Sequence, residues 1–114
     1  MPSVANVLAV KAMDGLYLRA AAIAENIANL GSSAYRVKSV DFEAELARAA
    51  AAGSDALAAY EPTARSAAVA SAGDEIRLDL EMAAASSTAG RFAALSDLLN
   101  RQMQIGRIAV RGGQ

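Results

Sequence analysis

The chain has no cysteine, no histidine and no tryptophan, only two prolines, and aromatic residues at 4 % of its 114 positions. Each shortage narrows what it can do. Without cysteine there are no disulfides, no thiol nucleophile and no thiolate metal site, and an oxidising compartment costs it nothing. Without histidine the commonest general base and metal ligand is gone. Charge of one sign is missing too: 11 basic residues face 12 acidic ones, a net charge of −1, which leaves no electrostatic footprint for nucleic acid. Long apolar runs are absent near the start, where Lys11 and Arg19 interrupt the hydrophobic residues after Met1-Pro2-Ser3. That stretch does not read as a cleaved secretory signal or a membrane span.

What remains is alanine, the commonest residue here and the best helix former. With so few large side chains, a self-contained core would be thin. Long helices packed on other copies or on partner subunits suit this composition better. The length allows one domain. Asp41, Glu43 and Glu45 cluster, but no His, Cys or glycine-rich phosphate cradle accompanies them, and Gly15 and Gly31 form no nucleotide fingerprint. No enzymatic activity, cofactor, metal or small-molecule substrate is expected.

Patterning divides the chain into four stretches. Residues 1–30 read as a helix with Ser3 as N-cap. Within it Met13, Leu16, Ala20, Ile23, Ile27 and Leu30 recur at alternating steps of three and four, the rhythm of a coiled-coil seam. Val4, Leu8, Tyr17 and Leu18 lie off that seam, so the helix is apolar on more than one side. Gly31, Ser32 and Ser33 stop it, and residues 31–48 form a turn followed by a short irregular or helical segment. Residues 49–75, rich in Ala, Ser and Gly, read as a flexible linker. Residues 76–114 carry a second long helix, with Phe92, Leu95, Leu99 and Met103 in one stripe and Leu98, Ile105 and Ile108 widening it. The expected fold is mainly all-α: an antiparallel, coiled-coil-like pair of terminal helices joined by an irregular, partly disordered middle.

Two features are not those of a merely stable helix. Asn26 and Asn29, poor helix-interior residues, share one face near its end. Tyr35-Arg36 and Val40-Asp41-Phe42 follow. This series resembles the N-terminal signature of bacterial flagellar axial proteins, Asn-x-x-Asn followed by Thr-Pro-Gly-Tyr-Lys. Asn26, Asn29, Tyr35 and Arg36 match, while Ser32-Ser33-Ala34 replaces the Thr-Pro-Gly turn. The stretch Gly73 to Met82 resembles the approach to the C-terminal helix in flagellar rod proteins, with Ile76, Leu78, Glu81 and Met82 in place. Arg91-Phe92-x-x-Leu95 and Leu98-Leu99-Asn100-Arg101 look like further family runs. The likeness spans about residues 4–48 and 73–110, and the brief middle is similar to the small proximal-rod subunits rather than the larger paralogues.

The resemblance implies a structural subunit that polymerises helically into the rod, the drive shaft between rotor ring and hook. It implies transport through the flagellar type III export channel without a cleaved signal, and a final place in the basal body within the periplasmic space. Implied partners are other copies, other rod proteins, the rotor (MS) ring and the export gate. Asn26 and Asn29 are expected to hydrogen-bond the backbone of the turn or a neighbouring subunit, fixing the exit angle of residues 31–42. Tyr35 and Phe42 either plug the end of the hairpin or meet another subunit. Arg91, Arg101, Arg107 and Arg111 are solvated charges, local ion-pair partners, or contacts for acidic groups of adjacent subunits. Another flagellar axial subunit, such as a C-type rod protein, and a soluble helical adaptor or export chaperone are the competing readings. A membrane-surface protein fits less well, because neither helix has a strongly basic face.

Overall fold

Two long helices dominate. The computed structural model describes residues 3–67 and 78–112, in the order α1 (Val4–Ala28), β1 (Lys38–Ser39), α2 (Glu43–Ala52), α3 (Ser54–Ala59), β2 (Arg65–Ser66) and α4 (Leu78–Gly112). α1 begins where the sequence signals it: the Ser3 hydroxyl accepts from the Asn6 backbone N–H at 3.1 Å, satisfying one orphan donor of the first turn. It ends at Ala28, with Asn29 as C-cap, and Gly31 takes the left-handed conformation (φ +83°) that turns the chain away.

α4 runs antiparallel to α1. Glu81, in its first turn, meets Asn26 near the end of α1, whereas Ala94 and Leu95 share an apolar groove with Leu8 and Ala12. α1 and α4 therefore form the expected antiparallel pair of terminal helices, in a molecule of 65 × 27 × 15 Å. Of the seam residues, Leu16 and Ile23 are buried, and Met13, Ile27, Phe92, Leu95 and Leu99 are half-buried. Leu30 and Met103 are exposed. Leu30 lies beyond the last turn of α1, and Met103 lies where α4 reaches the start of α1, so neither has a full helix opposite it.

The middle differs from the expected linker over 49–75. Residues 49–52 complete α2, residues 54–59 form α3, and residues 65–66 pair with β1 in a two-stranded antiparallel sheet, Lys38 opposite Ser66 and Ser39 opposite Arg65. Residues 68–75 of that stretch, like 1, 2, 76, 77, 113 and 114 of the flanking ones, lie outside the described residues. The reason for the difference is physical. An Ala-rich stretch reads as featureless by composition, yet alanine favours helix once one large side chain anchors it. That anchor is Leu57, whose side chain is fully buried. Gly53, at φ +125°, supplies the corner between α2 and α3.

The core gathers around this cap. Leu16 and Ala22 of α1 pack with Val40, Phe42, Leu46 and Leu57, and Phe92 and Leu95 of α4 lean on them from the other side. Only a few large side chains close it, as the aromatic-poor composition requires.

Candidate functional site

Asn26 is 1 % exposed, and every hydrogen-bonding position of its side chain is used. Its Oδ1 accepts from the Tyr35 hydroxyl at 2.7 Å and from the Lys38 backbone N–H at 2.9 Å. Its Nδ2 donates to the Lys38 carbonyl at 2.9 Å and to Glu81 Oε2 at 3.4 Å. The amide thus pairs with Lys38 as a neighbouring strand would, on the edge of β1 turned away from β2. One side chain ties α1, the turn, β1 and the first turn of α4 together. Buried polar groups satisfied this completely specify one arrangement, because every displacement leaves several of them unpaired.

The surroundings hold this joint in place. Burial, with the Glu25 carboxylate adding to it, raises the Tyr35 pKa above the usual phenol value, so its hydroxyl stays a donor. Lys38 Nζ lies 2.9 Å from both oxygens of Glu25, and that hydrogen bond holds the lysine above its ordinary pKa. Asn29 behaves differently from Asn26: its Nδ2 donates to the Glu25 carbonyl at 2.8 Å, within its own helix. Replacing Asn29 by Ala removes only this exposed capping bond, so a loss of about 0.5–1 kcal/mol is expected in urea denaturation.

A second contact was not foreseen from the sequence. Arg19 lies on α1, and its Nε and one terminal nitrogen donate to the Val40 carbonyl at 3.0 and 2.7 Å. The same guanidinium grips Glu43 in a two-pronged pair at 2.8 and 2.6 Å and sits 4.9 Å from the centre of the Phe42 ring. Arg91 of α4 approaches Glu43 from the far side at 3.7 Å. The Phe42 ring lies against Gly15, one turn before Arg19. Gly15 and Arg19, four apart on one helical face, form a slot that seats Phe42, the residue just before α2. A helix-interior glycine was the available signal, since glycine there costs helix stability and marks a close approach.

The expected signature residues thus separate. Asn26, Tyr35 and Glu81 converge on one joint, and Phe42 is buried in the adjacent slot. Asn29 caps its own helix. Arg36, Asp41 and Met82 are exposed. On α4, Arg91 bridges to α2, while Arg101 pairs with Asp97 one turn away in its own helix at 3.1 Å.

Arg19 gives Glu43 a pH signature. Its hydrogen bonds to the carboxylate, the largest influence on this group, hold the Glu43 pKa below the ordinary glutamate value. A carboxylate whose pKa is lowered on folding stabilises the native state above its unfolded pKa. That stabilisation fades as pH falls through the folded value. The urea midpoint of the wild type should therefore exceed that of Glu43→Gln at neutral pH, and the two should converge as the pH is lowered below about 4. A gap that stays constant with pH would contradict the pairing.

The described residues contain no group of three or more His, Cys, Asp or Glu side chains able to hold a metal ion. No helix among them is long and apolar enough to cross a membrane. No family model matches the chain, and no curated protein matches its sequence.

Proposed function

We propose that this chain is a structural subunit of the bacterial flagellar basal-body rod, nearest to the small B-type subunit of the proximal rod. In this reading it polymerises helically with other copies and other rod proteins between the rotor ring, the export gate and the hook. It reaches that place in the periplasmic space by the flagellar type III route, carries torque and catalyses no reaction. The observation that carries the reading is the Asn26 joint. Asn26, one of the residues that carry the resemblance to axial proteins, bonds both Tyr35 of the same signature and Glu81 from the corresponding C-terminal stretch. Residues some 55 positions apart in the chain thus belong to one polar constellation. A shaft needs the angle between its terminal helices and its middle segment fixed, and a fully satisfied buried amide fixes it.

The test is genetic and compositional. Deleting the gene in its own bacterium should abolish swimming, and complementation with the wild-type gene should restore it. Mass spectrometry of purified basal bodies should then find the chain in the rod fraction. A deletion strain that swims normally, with the protein confined to the cytosol, would defeat the proposal.

One observation favours a soluble helical adaptor or export chaperone as the second reading. An open apolar groove of about 660 Å³ runs between α1, α2 and α4, lined by Leu8, Leu16, Phe42, Leu46 and Leu95 among others. A groove of that kind accepts a partner helix. A discrete cytosolic oligomer with a cooperative melt would mark that reading.

A further inference from the structure

The groove between α1, α2 and α4 reaches down to the core. Leu16, Phe42 and Leu46 form its floor, and Ala12, Ala47, Ala50 and Ala94 line it where larger side chains would have closed it. Its volume of about 660 Å³ is that of a small-molecule site. From Leu16 to Leu8 it follows α1 for about 12 Å, and towards Leu8 the lining is apolar. Charge is confined to the other end, where Arg91 of α4 reaches across to Glu43 of α2 at 3.7 Å. Arg19 already holds both oxygens of that carboxylate, at 2.8 and 2.6 Å. Two guanidinium groups therefore share one carboxylate, an excess of one positive charge. Arg91 is the one with donors to spare: its side chain is 62 % exposed and its N–H groups serve one long ion pair. Neighbouring charges are matched among themselves, Lys11 with Glu61, Glu45 with Arg65 and Asp97 with Arg101.

We propose that this groove binds a single-chain anionic amphiphile: a terminal carboxylate pairs with Arg91, and the alkyl chain runs over the floor towards Leu8. The bridge between Arg91 and Glu43 decides for a thin ligand. A partner helix is about 10–12 Å across and can rest on the rim, but it cannot reach the floor where side chains of α2 and α4 meet over it. An alkyl chain fits beneath. The excess positive charge selects the head, because a cationic head on the same chain would face Arg91 with like charge. The apolar floor selects the tail, and each methylene it buries should tighten binding about fourfold.

The site is independent of the rod reading, since it needs neither a polymer nor a basal body. It is tested on free protein, whereas the rod reading is tested in the bacterium, so either can fail alone.

The experiment is isothermal titration calorimetry of the full chain with octanoate, decanoate and dodecanoate, each kept below its micelle concentration, and with decyltrimethylammonium as the cation of matched chain. The carboxylates should bind one to one with a dissociation constant below about 1 mM. Affinity should rise with each methylene until the chain fills the groove and then level off, and the cation should bind more weakly than decanoate. Arg91→Gln should weaken decanoate about fivefold, whereas Arg101→Gln, on the same helix but outside the groove, should leave it unchanged. Ala94→Phe, a change at an exposed position that fills the groove, should abolish binding of every chain. Far-UV circular dichroism checks that all three variants keep the wild-type helix content. Absence of saturable binding overturns the proposal. So does equal binding of the cation, an equal effect of the two arginine changes, or full binding by Ala94→Phe. Pelleting with phosphatidylglycerol vesicles without binding of the monomeric carboxylates would assign the surface to a membrane and overturn it as well.

Discussion

Asn26→Ala should destabilise the protein by about 2–4 kcal/mol, although it replaces a poor helix former by the best one. The substitution strips partners from the Tyr35 hydroxyl and from both backbone groups of Lys38, in a place where the native side chain is 1 % exposed. Each polar group left without a partner costs about 1–3 kcal/mol when water cannot replace the bond. Partial hydration of the turn keeps the total below the sum. Asn26→Asp should fare no better. The carboxylate retains an acceptor for Tyr35 and the Lys38 N–H, but it faces the Lys38 carbonyl and Glu81 with oxygen instead of a donor. Urea denaturation of both variants beside Asn29→Ala checks the assignment. Equal, small losses at positions 26 and 29 would show that the joint does not hold the turn.

Gly15→Ala should also lower stability, by about 1–2 kcal/mol, where an exposed helix position would gain about 1 kcal/mol from the same change. The sign is the diagnostic feature. A Cβ built on Gly15 lies 2.5 Å from Cγ and Cδ1 of Phe42 and 2.7 Å from Cδ2. The ring is 3 % exposed, and its root, rather than a flexible tip, is what the methyl meets. Arg19 sits over the same ring, so moving it also disturbs the bonds from Arg19 to Val40 and Glu43. Pairing Gly15→Ala with Phe42→Leu should recover part of the loss, giving a non-additive cycle. Strict additivity, or a stabilised Gly15→Ala, would remove the slot from the account.

These two residues also show how far the sequence could be read. The helices were legible because their signals are local: Ser3 at the cap, the three–four rhythm of Met13 to Leu30, and Gly31 at the stop. Asn26 was legible as an anomaly, an amide where a helix wants an aliphatic side chain, but not its partner: the backbone it bonds is that of Lys38 in β1, past the turn. Asn29 looked identical by composition and spacing, yet three residues further along, its side chain reaches only its own helix. No sequence pattern separates the two, because the difference arises from where β1 passes. Arg19 was read only as an interruption of an apolar stretch, since its partners Val40 and Glu43 lie 21 and 24 residues away. α3 was missed for a related reason. Its single anchor, Leu57, has no periodic companions, and long-range burial rather than local pattern orders it.

The most direct measurement is amide hydrogen exchange, read by mass spectrometry, on the free protein and on the same chain in purified basal bodies. The account predicts that the segment around Lys38, whose amide Asn26 holds, is protected in both. It predicts that the last turns of α4, from Met103 to Gly112, exchange rapidly in the free protein and become protected only in the basal body. Absence of the chain from basal bodies, or a Lys38 segment that exchanges freely in both samples, would contradict it.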